Sequence, residues 1–471
     1  MPVSLDISLG PQLTEDEAAA IFEQGKEAVV FALLQLARMP RPMAVEGASS
    51  PGTPSGMVPP YQKPAKSSRR KKPGRKVGHP GVRRAAPERI DRREDHRLEA
   101  CPDCGGRLSR GGSTRTRYVE DIPHNEPEVV EHTIHRDWCS RRRKTVEPKV
   151  PGALPGATLG NRVLVLSAWL HYALGNTLSQ IVDVFNFHLQ MKITPGGLIK
   201  MWYRLKTLFE AWYRRIQREA LQAAVLHADE TGWRVNGQTH WLWCFATRDA
   251  TFYLIDRSRG SPALQKFFVE EFQGALLTDF WSAYDAVVCG DRQRCWPHLL
   301  RELVKVESRA APPGEDWPEF RKKLKRLFGD AVRLKAARDS LAEDVYDRRV
   351  VQLEARVQAL AQASWSHADA RRLAKRLRRY GNELLTFLWY DDVPPDNNHG
   401  EREIRPAVLI RKNSYNNRSE QGASCQAALM SIFRTLKKRG HDPIPTLCNA
   451  IAQWRKTGTL PPLPANAAEV R

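Results

Sequence analysis

Two short apolar runs that each lead to an aspartate are the strongest constraint on how this chain can fold. The first run, VLHADETGWRV, carries Asp229, and the second, GALLTDF, carries Asp279. A short apolar run closed by polar residues is typical of a buried strand. We therefore predict two buried strands that end at Asp229 and Asp279, with Thr231 and Gly232 as the turn pair after the first strand.

The segments between these runs predict the order strands, helix, strand. THWLWCFAT and ATFYLIDRS are rich in aromatic and β-branched residues, and with the first run they indicate an antiparallel meander. SPALQKFFVEEF then begins with Ser261 and Pro262, a suitable cap and first helical position. This order is expected of a ribonuclease-H-like sheet with both aspartates at the edge of one central strand pair. The predicted fold class is α/β.

A third acid, Glu401, lies among cations and amides in DNNHGEREIRPAVLIRKN, where Arg405 follows it by one helical turn. A carboxylate beside guanidinium and amide groups suits binding of a phosphate backbone next to a metal ion. The other DNA-binding candidates in this segment are Asn397, Asn398, Arg402, Arg411 and Lys412.

Ordinary structural roles remain open for each acid taken alone. An aspartate after an apolar run is commonly a helix cap or a turn residue, and a glutamate on a charged helix is commonly solvated. Glu230 and Asp285 also lie close enough in sequence to compete for the roles given to Asp229 and Asp279.

Four stretches carry a family resemblance, namely HADETGW, LLTDFWSAYD, CWPHLLREL and DNNHGEREIRPAVLIRKN. Together they resemble the catalytic core of the insertion-sequence-sixty-six family of bacterial DDE transposases, from the Cys101 region to about Pro443. The resemblance implies that Asp229, Asp279 and Glu401 form the acidic triad. It further implies that Asn397 and Asn398 are the paired asparagines of the family and that Arg402 and Arg405 are the arginines that follow the glutamate.

Such a triad suits two magnesium or manganese ions, which are hard cations with oxygen ligands. Two ions about 4 Å apart activate the attacking oxygen and stabilise the leaving one in an in-line displacement. Water as the nucleophile gives strand nicking, and a DNA 3′-hydroxyl gives strand transfer. The expected function is binding of transposon ends, with cleavage and joining to target DNA. A catalytically inactive end-binding relative and a nuclease that cuts without joining are the alternatives.

The remainder of the chain divides into accessory regions. We predict a helix over residues 1–40, a basic Pro/Gly-rich linker over 41–90 and a zinc-knuckle-like module over 91–150. A helix-turn-helix-like region follows over 155–222, and the core spans 223–305 and 389–456 around a helical insertion at 306–388. Residues 457–471 form a tail.

CPDCGG places Cys101 and Cys104 at the spacing at which two thiolates face one zinc ion. The stretch DWCSRRRK supplies Cys139 but has Arg142 where the family resemblance implies a further cysteine. His132 or His135 could be the fourth ligand, and we take His135 as the candidate. A degenerate knuckle that folds without metal is equally compatible with the sequence.

Further DNA contacts are predicted in three places. The linker segment SSRRKKPGRK concentrates positive charge suited to a DNA backbone or minor groove. NTLSQIVDVFNFHLQMKITPGGLIKMWYRLK indicates two helices joined by a turn, although any helical hairpin gives this pattern. CWPHLLREL offers a histidine and an arginine near the metals. The candidate residues are Arg69, Arg70, Lys71, Lys72, Arg75, Lys76, Lys200, Arg204, His298 and Arg301.

Charge and compartment agree with a DNA-binding protein. The 471 residues carry a formal net charge of +21, which favours a polyanionic partner such as double-stranded terminal-repeat and target DNA. No apolar run could span a membrane, the N-terminus lacks an export pattern, and the scattered cysteines form no disulfide framework. We expect a cytoplasmic, nucleoid-associated protein. Pairing of two DNA ends implies at least a dimer, and the resemblance implies small accessory proteins.

Overall fold

The computed structural model describes residues 87–107, 116–119, 127–308, 316–414 and 417–467, together with residues 19, 21–23 and 29. Those last five residues are helical and fall within the predicted N-terminal helix. The remainder of that helix and the basic candidates from Arg69 to Lys76 lie outside the described residues. The chain divides into two compact units, Met1–Val58 and Pro59–Arg471, and every element named below belongs to the second.

Between residues 137 and 221 the structure describes a small hairpin and four α-helices, which precede the main sheet. Strands β1 (Asp137–Cys139) and β2 (Lys144–Val146) pair antiparallel. The helices are α1 (Asn161–Tyr172), α2 (Leu178–Asp183), α3 (Pro195–Leu208) and α4 (Glu210–Leu221). A π-helical turn, Val184–His188, continues α2.

Helices α2 and α3 each begin at a threonine cap. Thr177 and Gln180 form a capping box at the start of α2. At α3 the Thr194 hydroxyl accepts a hydrogen bond from Gly197, and Pro195 is the first helical residue. Two helices joined by a turn therefore form where the helix-turn-helix pattern predicts them.

The central sheet has five strands in the order β5-β4-β3-β6-β7. These are β3 (Val225–Val235), β4 (Gln238–Ala246), β5 (Thr251–Asp256), β6 (Phe272–Thr278) and β7 (Cys289–Arg294), with helix α5 (Ser261–Phe267) before β6. The meander β3, β4 and β5 is antiparallel as predicted, whereas β6 pairs parallel with both β3 and β7. The fold is thus mixed α/β.

Three local predictions for this sheet were wrong. Strand β3 does not end at Asp229, because Thr231 and Gly232 pair with Leu242 and Trp241 of β4 and are not a turn. The turn is formed by the next two residues after β3, an Asn-Gly pair with positive φ at both positions. Strand β7 was not predicted, since CGDRQR lacks apolar alternation. Helix α5 is capped by Gly260 rather than by Ser261.

After β7 the chain is helical. It forms α6 (Trp296–Glu307), α7 (Trp317–Ala336), α8 (Glu343–Gln362) and α9 (Ala368–Tyr380), followed by α10 (Asn398–Ser414), α11 (Glu420–Lys438) and α12 (Pro443–Thr457). The helical insertion predicted between the second aspartate and the glutamate is therefore present as helices α7, α8 and α9.

The two faces of strand β6 belong to different hydrophobic cores. Leu276 packs into a core that includes α1, α3, α4, α11 and α12. Ala275 and Leu277 point the other way, into a core shared with α6 and the insertion helices. Odd-numbered positions of β6 therefore face the insertion, and this direction sets where Asp279 emerges.

The outer edge of β5 is covered by hydroxyl groups of helix α11. The backbone N–H of Thr251 donates to Thr435 Oγ1 at 3.1 Å, and that of Tyr253 donates to Ser431 Oγ at 2.8 Å. Ser431 in turn donates to Ala427 O at 2.7 Å. These side chains satisfy edge amides that would otherwise be buried without partners.

Replacing Ser431 with alanine should destabilise the protein, because the buried N–H of Tyr253 loses its acceptor. We expect the free energy of unfolding to fall by about 1–3 kcal/mol, measured by urea denaturation. Thr207→Ala is the control, since Thr207 is exposed and donates only to a carbonyl of its own helix. Equal stability of the two variants would contradict a role of α11 in closing the sheet edge.

Candidate active site

The parallel register of β3 and β6 sets the two predicted aspartates side by side. His227 of β3 pairs with Leu277 of β6. Continuing this register by two residues places Asp229 beside Asp279, with both side chains on the face toward the insertion. Strand β6 ends at Thr278, so Asp279 lies at a strand end as predicted, whereas Asp229 lies within a longer strand.

Glu401 reaches this edge because a buried asparagine ties helix α10 to strand β3. Asn397, which is 2% exposed, accepts a hydrogen bond from His227 Nδ1 at 2.8 Å and donates through Nδ2 to the backbone oxygen of Ala228 at 2.8 Å. A Cβ atom at Gly400 would lie 2.8 Å from Asn397 Oδ1. Glycine at this position therefore permits the first turn of α10, with Glu401, to approach the asparagine.

Asp229 is partly buried among other carboxylates. Burial is the largest cause that raises the pKa of Asp229 well above its usual value, and the negative charges of Glu230, Asp279 and Glu401 raise it further. One Asp229 oxygen accepts a hydrogen bond from the backbone N–H of Glu230 at 2.9 Å. A cation beside Asp229 would relieve this repulsion, so the donor set fits a divalent metal with oxygen ligands.

Helix α6 supplies the groups that face Glu401. Arg301 Nη2 donates to Glu401 Oε1 at 2.9 Å, and His298 Nε2 lies 3.9 Å from the same oxygen. Burial lowers the pKa of His298. The structure thus places both predicted residues of CWPHLLREL at the acid, where Arg301 now neutralises the charge that a metal ion would otherwise neutralise.

Cys295 also belongs to this site, although it is not among the residues predicted there from the sequence. Its Sγ, a His298 ring nitrogen and a Glu401 oxygen all lie within 4.8 Å of one another. Among the described residues, Asp229 and Asp279 are not part of so tight a group. Burial raises the pKa of the Cys295 thiol to about 12. The spacing of Cys295 and His298, one helical turn apart, was the signal in the sequence that could have linked them.

The two competing acids are engaged elsewhere. Glu230 accepts hydrogen bonds from Arg259 Nη2 at 3.0 Å and from the Tyr284 hydroxyl at 2.6 Å, on the opposite face of β3 from Asp229. Asp285 pairs with Arg294 and Arg379 at 2.5 and 2.6 Å. Neither acid therefore faces the edge where Asp229 and Asp279 meet.

The Glu230 and Arg259 pair also fixes the loop after Asp279. The Arg259 guanidinium lies between two indole rings, 4.4 Å from Trp241 and 3.9 Å from Trp281. Trp281 Nε1 donates to the Arg259 backbone oxygen at 3.0 Å, and the backbone N–H of Trp281 donates to Asp279 Oδ1 at 2.8 Å. One carboxylate oxygen of Asp279 is thereby held in place.

A second buried network joins helix α10 to helix α11 and to the sheet. Glu403 accepts hydrogen bonds from Arg434 Nε at 2.7 Å and Arg434 Nη2 at 3.0 Å, and also from Thr251 Oγ1 at 2.9 Å. Lys438 lies 3.9 Å from Glu403 and donates to the Thr247 backbone oxygen at 2.6 Å. Burial lowers the pKa of Lys438 to about 8. The helix that carries Glu401 is thus joined to both α11 and the sheet.

The predicted DNA-binding residues divide by exposure. Three of them bind the protein itself: Asn397 as described, Arg204 through Pro155 O, and Arg411 through Thr231 Oγ1 at 3.0 Å and Gly232 O. The Asn397 amide is engaged at both its oxygen and its nitrogen, so we correct its predicted role to a structural one. Arg204 and Arg411 each use only one guanidinium nitrogen, so a DNA contact stays a prediction for these two arginines. The exposed candidates are Lys200, Asn398, Arg402, Arg405 and Lys412.

The zinc-knuckle-like module forms its predicted turn. The backbone N–H of Cys101 donates to Gly106 O and that of Gly105 donates to Cys101 O, both at 2.9 Å. Hydrogen bonds from the backbone N–H groups of Asp103 and then Cys104 lower the pKa of Cys101, which favours the thiolate that zinc requires. Among the described residues, Cys139 and His135 are not brought into one group of three ligand atoms with this turn.

The fold and the site define a mixed α/β protein in which carboxylates from two parallel strands and a helix meet beside a basic helix. Residues 156–425 match the family model described as Transposase IS66 family, which is more than half of the chain. Residues 99–141 match the zinc-finger binding domain of transposase IS66, which suggests zinc binding by this module. The chain belongs to the IS66 transposase family, as the sequence resemblance predicts.

Two proteins of Sinorhizobium fredii are similar to the chain. One, named uncharacterized protein y4qI, is 28% identical over 236 residues, which is 45% of this chain and 43% of that protein. The other, uncharacterized protein y4jD, is 22% identical over 399 residues, 75% of this chain and 74% of that protein. The chain thus spans less than half the length of the first relative. Among the described residues, no helix is long and apolar enough to cross a membrane.

Replacing Asn397 with alanine should destabilise the protein and release helix α10 from the sheet, because His227 Nδ1 and Ala228 O both lose buried partners. We expect the free energy of unfolding to fall by about 2–4 kcal/mol in urea denaturation. Asn398→Ala is the matched control, because the neighbouring side chain is exposed, and it should change stability by less than about 0.5 kcal/mol. Similar losses in both variants would argue against the tie through Asn397.

Proposed function

We propose that this chain is a DDE transposase that binds transposon ends and carries out divalent-metal-dependent cleavage and joining of DNA strands through Asp229, Asp279 and Glu401. The observation that carries the proposal is the proximity of these carboxylates at one sheet edge, where the charges of Asp279 and Glu401 act on Asp229. The parallel register of β3 and β6 sets the two aspartates side by side, and the Asn397 tie brings up the helix with Glu401. The raised pKa of Asp229 supports a place for cations.

The strand order supports a ribonuclease-H-like core. Three antiparallel strands are followed by two parallel ones, in the order β5-β4-β3-β6-β7, and the acids lie on the first strand, after the fourth strand and on a later helix. The insertion separates the second and third acids in sequence but packs on the same face of β6 from which Asp279 emerges. In this arrangement the sheet edge that carries the acids lies between helices α6 and α10.

The residues of the chain would have distinct tasks in this reaction. Asp229, Asp279 and Glu401 would hold two magnesium or manganese ions, which when bound activate the attacking oxygen and stabilise the leaving one. Arg301, now paired with Glu401, would be free to bind a phosphate once a cation replaced it. The exposed Arg402 and Arg405 of α10 would hold the DNA backbone beside the acids.

The accessory regions would provide further DNA contacts. Lys200 is exposed on α3, the second helix of the helix-turn-helix-like pair, where it would face a groove or the backbone. The module at Cys101 and Cys104 would bind one structural zinc ion and present its hairpin to DNA. Pairing of two ends would require at least a dimer, and small proteins of the same element would assist.

Substitution of the acids tests the proposed chemistry. With duplex DNA carrying the element's ends and magnesium, the wild type should nick and join strands. Asp229→Asn, Asp279→Asn and Glu401→Gln should each reduce both reactions at least about 100-fold, since metal-borne charge stabilisation is worth several kcal/mol. Glu343→Gln, which removes an exposed acid of helix α8 that is far along the chain from each of the three acids, is the control.

The outcomes separate the alternatives. Wild-type rates in both the Asp229 and Glu401 variants would contradict the assigned triad. Cleavage without any joining would identify a nuclease of the same fold. End binding without a reaction in magnesium or manganese would identify an inactive, regulatory relative.

Zinc content tests the knuckle separately. Purified wild-type protein should contain about one zinc ion per chain by elemental analysis, and Cys101→Ser should contain none, because two thiolates are the minimum of such a site. Cys289→Ser is the control, since Cys289 lies in β7, far along the chain from the module. Zinc-free wild-type protein would mean that the knuckle folds without metal.

A further inference from the structure

We propose that the exposed basic face of helix α9 binds the phosphate backbone of duplex DNA and guides it to the candidate active site. This inference rests on the proposed function for its choice of DNA. The basic face consists of two adjacent stripes on the helix surface, and its six residues are Arg371, Arg372, Lys375, Arg376, Arg378 and Arg379.

Helix α9 has the pattern of a helix with one buried side. Its apolar positions, Ala370, Leu373, Ala374, Leu377 and Tyr380, are all buried, and the first four belong to the insertion core. The basic residues occupy the opposite side at i, i+3 and i+4 spacings. Five of them, Arg371, Arg372, Lys375, Arg378 and Arg379, are exposed as whole residues. The charge is therefore presented to solvent and is not used to build the core.

The positive charge of this face is only partly neutralised by the protein. Arg372 pairs with Glu302 and Asp369, each at 3.1 Å, and Arg379 pairs with Asp285. Lys375 and Arg378 form no ion pair with any residue that the structure describes. Like charges one helical turn apart destabilise a helix. An anionic partner would remove this repulsion.

The charged residues around α9 add to its positive electrostatic potential and do not cancel it. Residues 317–380 contain 17 lysines and arginines against 8 aspartates and glutamates. The whole insertion therefore carries excess positive charge, and α9 has the highest density of it. Such an excess steers an extended polyanion toward the surface.

The basic face begins at the second acid of the candidate site. The Arg376 guanidinium lies 5.0 Å from the ring centre of Phe280, the residue after Asp279, and Tyr380 packs edge-on against the same ring at 5.7 Å. Arg372 joins α9 to α6 through Glu302, and α6 also carries Arg301, the partner of Glu401. A strand lying on α9 would thus pass directly to the carboxylates.

The dimensions of the face suit duplex DNA. Thirteen residues give a helix about 20 Å long. B-form DNA has one negative charge per about 1.7 Å of its axis, so a duplex segment of this length carries about twelve phosphates, twice the number of cations on the face. Contacts of this kind position DNA without reading its sequence.

A double substitution of the two unpaired cations tests the proposal on the full-length protein. Lys375→Gln with Arg378→Gln should leave the circular dichroism spectrum and melting temperature unchanged, because both side chains are exposed. The association constant for a duplex of about 60 base pairs is measured at several salt concentrations. The slope of its logarithm against the logarithm of the salt concentration should become shallower by about 1.8, since each lost phosphate contact contributes about 0.9. Binding of the element's own end and of an unrelated duplex should weaken alike.

The matched control is Arg348→Gln with Arg349→Gln, which removes the same charge from exposed positions of helix α8 in the same insertion. This control should keep the wild-type slope. A wild-type slope in the α9 variant would overturn the proposal, and so would an equal change in the α8 control. The proposal would also be overturned if the α9 variant lost binding to single-stranded RNA while it kept wild-type binding to duplex DNA.

The test distinguishes failure of this inference from failure of the proposed function. If the α9 variant binds, nicks and joins DNA as the wild type does, the basic face is not a DNA surface while the transposase proposal stands. If the wild type binds duplex DNA with the expected slope but performs no reaction, the surface stands and the catalytic proposal fails.

Discussion

The parallel pairing of strands β3 and β6 is the interaction on which the candidate site depends. It sets Asp229 and Asp279 on one face of the sheet, two residues beyond the pair formed by His227 and Leu277. Everything else at the site is built against this pair. Helix α10 docks on β3 through Asn397, and α6 follows directly from β7, whose parallel pairing with β6 fixes its direction.

The alternation of side chains along β6 gives the sheet two different environments. Leu276 points to the core of α1, α11 and their neighbours, and Leu277 points to the insertion. Because Asp279 continues the alternation of Leu277, it emerges on the insertion side. The same rule separates Asp229 from Glu230, so that one carboxyl lies among the acids and the next is held by Arg259 and Tyr284.

Much of this architecture was predictable because its signals are local. Aromatic and β-branched runs predicted the meander, and the pattern of NTLSQIVDVFNFHLQMKITPGGLIKMWYRLK predicted two helices joined by a turn. The failures have physical causes. Asp229 was placed at a strand tip because polar residues follow it, yet Thr231 and Gly232 pair with β4 across the sheet. Asn397 was assigned to DNA because its neighbours are basic, yet its amide is used inside the fold. Strand β7 is polar, so its sequence does not predict a strand. Only its pairing with β6 in the structure identifies it.

The position of Glu401 in the chain has a consequence for synthesis on the ribosome. Both aspartates precede the insertion, and the glutamate follows it by way of α10, which in turn rests on α11. Since chains fold progressively from the N-terminus, the sheet and insertion can form while α10 and α11 are still being made. The three acids can come together only after these two helices have left the ribosome. A truncated product would therefore retain the exposed cations of α9 without a complete set of acids.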